Sequence, residues 1–113
     1  MRKIWISLLV GLFSLVTLAV APSAQAVSGT AYHPTDPSTG HVRDHHWYKA
    51  CDRHVDGHRV RLHYYTVFNP HFLLYSAWAP SGGCTQEVGT TLAANISQFR
   101  ICVEAEGCGP WVR

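Results

Sequence analysis

Four cysteines in a short chain are the feature that most restricts how this sequence can fold. They are Cys51, Cys84, Cys102 and Cys108. An even number of cysteines in a small exported domain predicts a disulfide framework, because such a domain buries too little apolar surface to be stable unaided. Four cysteines allow three pairings. We favour Cys51–Cys84 with Cys102–Cys108, because the segment between the second pair is a loop that can turn back. A zinc site is disfavoured, since no C-x2-C pair is present.

The N-terminal segment, residues 1–26, predicts export. It begins with Arg2 and Lys3, continues with an apolar run that ends at Val20, and closes with Ala-Gln-Ala. A basic start, a short apolar core and a small-x-small exit are typical of a secretory signal peptide. Polar residues and glycine interrupt the apolar run, so a retained membrane anchor is the weaker interpretation. We therefore predict a secreted, extracellular protein that has no membrane attachment after cleavage.

The mature chain, residues 27–113, is predicted to be formally neutral. Removal of Arg2 and Lys3 leaves seven cations against seven acids. This balance argues against a nucleic-acid-binding protein, which would be strongly basic. The sequence contains no phosphate-binding loop, no dinucleotide fingerprint and no G-x-S-x-G turn. We therefore predict no cofactor and no catalytic nucleophile.

Residues 27–44 differ in composition from the rest of the mature chain. They are rich in serine, threonine, glycine, proline and aspartate. Such a segment lacks the large apolar side chains that a core needs. We therefore predict a mobile or extended N-terminal arm over residues 27–44.

Residues 45–113 show the alternating pattern of short strands. Asp56-Gly57 is the strongest hairpin signal, and it predicts direct pairing of the strands 49–55 and 58–67. Its predicted core-facing residues are Cys51, Val55, Val60, Leu62 and Tyr64, and its predicted solvent-facing residues are Asp52, His54, Arg59, Arg61, His63 and Tyr65. Further strands are predicted at 71–79, 87–91, 96–103 and 111–112. The fold is predicted to be all-β: a small disulfide-stapled β-sandwich or barrel of five to seven short antiparallel strands with an extended N-terminal arm.

Eight histidines lie between residues 33 and 71, and two pairs among them have metal-ligand spacing. His41 lies in the predicted arm and His45 directly follows it, in a region where no helix aligns residues four apart. His54 and His58 fall on opposite faces of the predicted hairpin. We therefore predict no metal site, and expect surface histidines that gain positive charge below about pH 6.

Ten aromatic rings after residue 45 are too many for a domain of this size to bury. Some of them should form an exposed amphipathic surface, and such surfaces usually bind another protein. Tyr65, Phe68 and Tyr75 are predicted to contribute to this surface. We therefore predict a secreted, non-enzymatic protein-binding module.

Two other functions remain open. Small secreted ribonucleases use a histidine, a second acid–base group and an arginine on a sheet, and Arg59, Arg61 and His63 lie along one strand here. This pattern allows a small hydrolase that acts on RNA. The segment Pro80–Gly83 beside Cys84 predicts an exposed loop of the kind that protease inhibitors use, although most such loops are plain connections.

Three runs of sequence resemble small secreted proteins of filamentous actinobacteria. These runs are Cys51–Val60 with a CD…DGH pattern, Ser97–Glu104 with an FRxC pattern, and Gly107–Val112 at the end of a C-x5-C spacing. In size and layout the chain is similar to the adaptor subunit of umbrella toxin particles. In those secreted antibacterial complexes, a small β-domain links a repeat-bearing toxin stalk to a lectin-like subunit.

The resemblance implies an adaptor whose partners are a lectin-like subunit and a repeat-bearing toxin subunit. It also implies that the arm, residues 27–44, inserts into one of them. The predicted partner-binding residues are Tyr32, His33 and Val42 in the arm, and Trp47, Tyr65, Phe68 and Tyr75 in the β-domain.

Overall fold

Eight short β-strands form along residues 25–113, the part of the chain that the computed structural model describes. The predicted signal peptide, residues 1–26, therefore lies almost entirely outside the described residues. The strands are β1 (Gly29–Tyr32), β2 (Thr39–Arg43), β3 (Trp47–Cys51), β4 (Val60–Thr66), β5 (Leu74–Tyr75), β6 (Val88–Gly89), β7 (Ile96–Val103) and β8 (Gly107–Cys108). A single 3-10 turn at Thr91–Ala93 precedes β7. Along residues 25–113 there is no helix of the length and apolarity that a membrane crossing requires.

The strands pair into two antiparallel sheets of four strands each. The order is β1-β2-β3-β6 in the first sheet and β5-β4-β7-β8 in the second sheet. The sheets face each other, with β1 and β2 packed on β7, and β3 packed on β4. The predicted all-β sandwich is confirmed, with eight strands along residues 25–113 in place of the five to seven expected.

Both predicted disulfides are confirmed, and each one belongs to a different sheet. Cys51, the last residue of β3, is bonded to Cys84 in the loop that leads to β6. Cys102 in β7 is bonded to Cys108 in β8, directly across the hairpin. Each disulfide therefore crosslinks segments that belong to the same sheet, and along residues 25–113 no disulfide joins the two sheets.

Large side chains from the second sheet dominate the core. Phe99, Leu62, Ile96, Ile101 and Val60 are the largest fully buried hydrophobic residues. The buried residues that the first sheet contributes are smaller, and include Ala31, Val42 and Ala50. The burial along β4 follows the period of two that a half-buried strand requires, so the predicted core positions Val60, Leu62 and Tyr64 are confirmed. The predicted strand 96–103 is confirmed as β7, whose alternation is interrupted beside a register shift between Tyr65 and Thr66 of β4.

The prediction that residues 27–44 form an extended arm is wrong, because this segment provides two of the four strands of the first sheet. Gly40 of β2 lies against the side chain of Leu62, with no room for a Cβ atom. At the end of β1, the carbonyl of Tyr32 occupies the place where a Cβ of Gly109 would lie. Small residues let the backbone approach the second sheet closely. The compact domain therefore includes this segment and does not begin at residue 45.

The predicted hairpin at Asp56-Gly57 is also wrong, since β3 and β4 lie in different sheets and residues 52–59 form a crossover between them. The side chain of Asp52 causes the strand to end. Its buried carboxylate accepts a hydrogen bond from the backbone N–H of His54 at 3.0 Å, which turns the chain out of the sheet. Asp52 is therefore buried and not exposed, and the predicted core residue Val55 is 76% exposed.

The predicted strand 71–79 is reduced to β5. After β5 the chain follows β4 without regular pairing, because the side chain of Ser76 replaces a backbone partner. Its hydroxyl accepts a hydrogen bond from the N–H of Leu62 at 2.8 Å, while its own N–H donates to the carbonyl of Leu62 at 2.9 Å. This irregular stretch places Trp78 beside the outer side chains of β4.

Candidate protein-binding face

The outer surface of the second sheet carries a set of arginine and aromatic side chains. Because Val60, Leu62 and Tyr64 point into the core, the alternate residues of β4 point outward. Neighbouring segments add further rings and two more arginines. We define the aromatic–arginine face as Arg59, Arg61, His63, Tyr65, Tyr75, Trp78, Arg100 and Trp111.

Arg61 of β4 and Arg59, which directly precedes β4, stack on two rings at one side of this face. The guanidinium carbon of Arg61 lies 4.1 Å from the ring centre of Tyr75 and 4.3 Å from that of Trp78. The guanidinium carbon of Arg59 lies 4.4 Å from the ring centre of Trp78. These distances are within the range of cation–π attraction, which favours keeping the guanidinium groups over the rings.

A second stack forms at the other side of the face, on β7. The guanidinium carbon of Arg100 lies 4.2 Å from the ring centre of Trp111, whose ring lies 5.3 Å from that of Tyr65. Trp111 is positioned by its neighbour Val112, which exchanges two backbone hydrogen bonds with Phe99 at 2.8 and 3.1 Å. The C-terminal segment therefore completes the face.

His63 lies between the two stacks. It is the cross-strand partner of Arg100, and its ring meets the ring of Tyr75 edge-on at 4.7 Å. Burial, and then the positive charges of Arg100 and Arg61, lower the pKa of His63 to about 4. The imidazole is therefore neutral at pH 7, and the arginines carry the charge of the face.

Two of these arginines lack an acidic partner within the described part of the chain. Arg59 forms a salt bridge with Glu104 at 2.6 Å, whereas neither Arg61 nor Arg100 forms one within residues 25–113. The Nε atoms of Arg61 and Arg100 are buried and have no hydrogen-bond partner in the same region. Because no carboxylate of residues 25–113 pairs with these two guanidinium groups, they suit the carboxylates of an acidic partner, which arginine can bind with paired hydrogen bonds.

The predicted partner-binding residues are spread over several surfaces. Tyr65 and the 47%-exposed Tyr75 belong to the aromatic–arginine face. Phe68 is 81% exposed but lies at the rim of a separate pocket. Tyr32 and Trp47 are exposed on the first sheet. The structure therefore brings only two of the seven predicted residues, Tyr65 and Tyr75, to the aromatic–arginine face.

The prediction fails for His33 and Val42, because both are buried. Val42 belongs to the hydrophobic core. His33 is a structural residue: its Nδ1 accepts hydrogen bonds from the backbone N–H groups of Thr35 and Asp36, and its Nε2 lies 3.1 Å from the carbonyl oxygen of Gly107. Neither side chain can contact a partner in this fold.

A separate apolar pocket opens at one edge of the sandwich. It has a volume of about 360 Å³, and Tyr64, Leu74 and Thr90 contribute to its walls. Phe68 and Leu92 also line it, and Leu92 is 97% exposed. An exposed leucine and an exposed phenylalanine beside a pocket form a second surface that a protein partner can cover.

Sequence reasoning missed Trp78, Arg100 and Trp111 as members of one face. They lie far apart along the chain and meet only through the pairing of β4 with β7 and the bridge between Phe99 and Val112. The alternating pattern of the predicted strand did identify four of the eight residues of the face, Arg59, Arg61, His63 and Tyr65. The aromatic content added Tyr75.

The residues that suggested a ribonuclease and those that suggested a protease inhibitor lie in different parts of the structure. Arg59, Arg61 and His63 do share a face, but within residues 25–113 no carboxylate forms a salt bridge or hydrogen bond with His63. The segment Pro80–Gly83 is a tight turn, closed by a hydrogen bond from the N–H of Gly83 to the carbonyl of Pro80 at 2.9 Å. No protein-family model, curated protein or solved structure matches this chain.

Proposed function

We propose that this protein is a secreted, non-enzymatic protein-binding domain, and that the aromatic–arginine face is its main interface. The observation that carries the proposal is the pair Arg61 and Arg100, each stacked on an aromatic ring and each without an acidic partner in the described chain. Tryptophan, tyrosine and arginine are the residue types most enriched among energetically dominant interface contacts. The same three types make up most of this face.

The stacking also favours tight binding for an entropic reason. A free arginine side chain loses many conformations when it is fixed at an interface. Arg61 and Arg100 are already held on Tyr75, Trp78 and Trp111, so less conformational entropy remains to be lost. An acidic partner surface would gain charge-assisted hydrogen bonds from them.

The disulfides support an extracellular location. Cys51–Cys84 and Cys102–Cys108 leave no free cysteine within residues 25–113. Small domains with this framework are typical of oxidising compartments. Together with the predicted signal peptide, this favours secretion.

The particular role that we propose is that of an adaptor subunit in a secreted antibacterial toxin complex. An adaptor contacts two partners and so needs two surfaces. The aromatic–arginine face and the rim formed by Phe68 and Leu92 are separate exposed surfaces of suitable chemistry. The partners proposed from the sequence resemblance are a lectin-like subunit and a repeat-bearing toxin subunit.

The experiment is size-exclusion chromatography with mass spectrometry of the native secreted protein, compared with charge-matched variants. The test variant is Arg61→Gln/Arg100→Gln, and the control is Arg53→Gln/Arg113→Gln, which removes the same charge outside the face. We expect wild type and control to elute with the same secreted partners and the test variant to elute alone. Circular dichroism spectra establish that both variants are folded.

Two results would overturn the proposal. One is recovery of the wild-type protein only as a free monomer, or of a complex that both double variants form equally. The other is hydrolysis of RNA between pH 5 and 8 that is lost in His63→Ala, since this would identify a hydrolase.

A further inference from the structure

Two histidines and three carboxylates meet where three loops converge at one end of the sandwich. The loops connect β1 to β2, β3 to β4, and β7 to β8. We define the histidine–carboxylate cluster as Asp36, His54, Asp56, His58 and Glu106. It lies outside the aromatic–arginine face, and the proposed protein-binding function does not use it.

Asp56 is shared between two groups of potential ligand atoms. Its Oδ2 atom lies 3.2 Å from Nδ1 of His54 and 3.6 Å from Nδ1 of His58. On the outer side, His54 Nδ1 lies 3.6 Å from Asp36 Oδ2, and His58 Nδ1 lies 3.7 Å from Glu106 Oε2. Within each group of three residues, all ligand atoms are within 4.8 Å of one another.

These separations are longer than those of the closest ion pairs along residues 25–113, and they also suit atoms that share an ion. The arginine–carboxylate pairs Arg43–Glu87 and Arg59–Glu104 close to 2.6 Å. By contrast, two ligand atoms at about 2.0–2.1 Å from a tetrahedral zinc ion lie about 3.3–3.4 Å apart. The four separations in the cluster, from 3.2 to 3.7 Å, fall around this spacing.

Burial and charge also indicate a cation. The side chain of Asp36 is only 1% exposed, and its Oδ1 accepts a hydrogen bond from the N–H of Ser38, while Oδ2 faces His54. Nδ1 of His58 is buried without a hydrogen-bond partner. Across residues 25–113, no lysine or arginine forms a salt bridge with the three carboxylates. Of the three carboxylates only Asp36 is fully buried, and a bound cation would lower the cost of keeping its charge out of water.

The loops that carry the cluster are held in place. The hydroxyl of Ser38 accepts a hydrogen bond from the N–H of Arg53 at 3.1 Å, which fixes the first loop to the second loop. The second loop starts at the disulfide-bonded Cys51, and the turn that contains Glu106 is closed by Cys102–Cys108. A metal site needs ligands that are positioned in advance, and these contacts supply that rigidity.

We propose that the histidine–carboxylate cluster binds a divalent transition-metal ion, with Asp56 as the shared ligand. Imidazole nitrogen together with carboxylate oxygen is a ligand set that suits zinc better than magnesium or calcium, which prefer oxygen alone. The sequence prediction rejected His54 and His58 because a hairpin would separate them. The crossover between the sheets instead turns both Nδ1 atoms toward Asp56.

The test is titration of the purified, disulfide-bonded protein with zinc chloride, followed by isothermal calorimetry and by thermal unfolding. The variants are Asp56→Asn, His54→Ala and His58→Ala. Asparagine at position 56 keeps an oxygen that can accept the N–H of His58, as Oδ1 of Asp56 does at 2.9 Å, so this variant should fold. Matched controls are Asp44→Asn and His71→Ala, which lie outside the cluster.

We expect zinc to raise the unfolding temperature of wild type and of both controls, because ligand that binds only the folded state stabilises it. Asp56→Asn should lose this shift and bind zinc at least about 100-fold more weakly, and each histidine variant should be weakened. Zinc binding that is absent in wild type, or equal in wild type and Asp56→Asn, would overturn the site. Tighter binding of calcium than of zinc would overturn the choice of ion.

Discussion

The two sheets of the sandwich fill their shared core with opposite kinds of side chain. The second sheet inserts large residues such as Leu62 and Phe99, whereas the first sheet offers alanine, and at Gly40 no side chain at all. Gly40 lies directly against Leu62. A thin backbone surface is what allows large opposing side chains to be fully buried.

This difference in the size of the inward-facing side chains explains which strands the sequence pattern could predict. A strand with large inward residues shows the period of two clearly, and β7 was predicted with its correct bounds. A strand whose inward residues are alanine and glycine has no such signal, so β1 and β2 looked like a polar linker. Low hydrophobicity therefore did not mean low burial.

The strongest test of the comparison is deletion of residues 27–43, which removes β1 and β2. If these strands cover the core as described, the truncated protein exposes Phe99 and Ile101 and loses cooperative unfolding. Circular dichroism and thermal unfolding measure this directly. A truncated protein that still unfolded cooperatively near the wild-type temperature would show that the segment is a dispensable arm after all.

The second sheet should be destabilised by substitutions that remove side-chain volume, and the first sheet by substitutions that add it. Phe99→Ala removes volume from the second sheet and should lower the free energy of unfolding by about 3–5 kcal/mol. Gly40→Ala adds volume to the first sheet and should lower it by about 1–3 kcal/mol. Val88→Ala, at an exposed position, should change it by less than about 0.5 kcal/mol.

A double variant checks the cause of the Gly40 effect. Because a Cβ at position 40 would meet the side chain of Leu62, Gly40→Ala/Leu62→Ala should be less destabilised than the sum of its single variants. Urea unfolding of all four proteins gives the coupling free energy. Simple additivity would disprove the proposed contact.

The two disulfides should stabilise their sheets unequally. Cys51–Cys84 closes a sequence separation of 33 residues and Cys102–Cys108 one of 6 residues. The loss of unfolded-chain entropy predicts that replacing the first pair by alanine costs about 4 kcal/mol and the second about 2.5 kcal/mol. Urea unfolding of the two variants measures the difference, and a larger effect for the shorter loop would contradict the entropic explanation.

The smallest expected effect is a pH dependence that differs between the sheets. The folded pKa of His63, about 4, is below the unfolded value near 6.5, so the unfolded state takes up its proton first as the pH falls. The free energy of unfolding should therefore fall as the pH is lowered from about 6.5 to about 4. Because the His63 ring is partly exposed and solvent screens its interactions, the expected loss is about 1–2 kcal/mol. The pKa of His41 in the first sheet is also lowered, by burial and then by Lys49 and Arg53, but less strongly.

The measurement is urea unfolding at intervals between pH 4 and 7. His63→Gln should flatten the dependence more than His41→Gln does. Equal slopes for the two variants, or a stability that rises as the pH falls through this range, would show that burial and the charges of Arg100 and Arg61 do not hold His63 in its neutral form.

Local patterns were enough to predict the fold class, both disulfides and the outward positions of Arg61 and His63. Local patterns could not predict the contacts of His54 and His58, because those contacts depend on which sheet the chain enters after Cys51. The buried carboxylate of Asp52 ends β3 and so directs the chain to the second sheet. The residue types around Asp52 do not distinguish this role from that of an exposed hairpin residue. Trp111 and Arg100 meet because Phe99 and Val112 form an isolated β-bridge, which local sequence patterns do not predict.

The backbone pairing of β7 has a practical consequence for engineering. The N–H of Val27 donates to the carbonyl of Ile96, and the N–H of Val112 donates to that of Phe99. Both segments thus leave the sandwich from one stretch of β7, whose anchoring residues are about 10 Å apart at the rise of an extended strand. A short peptide could therefore join residue 27 to residue 112, and new termini in the crossover 52–59 would give a circularly permuted protein with the same sheets.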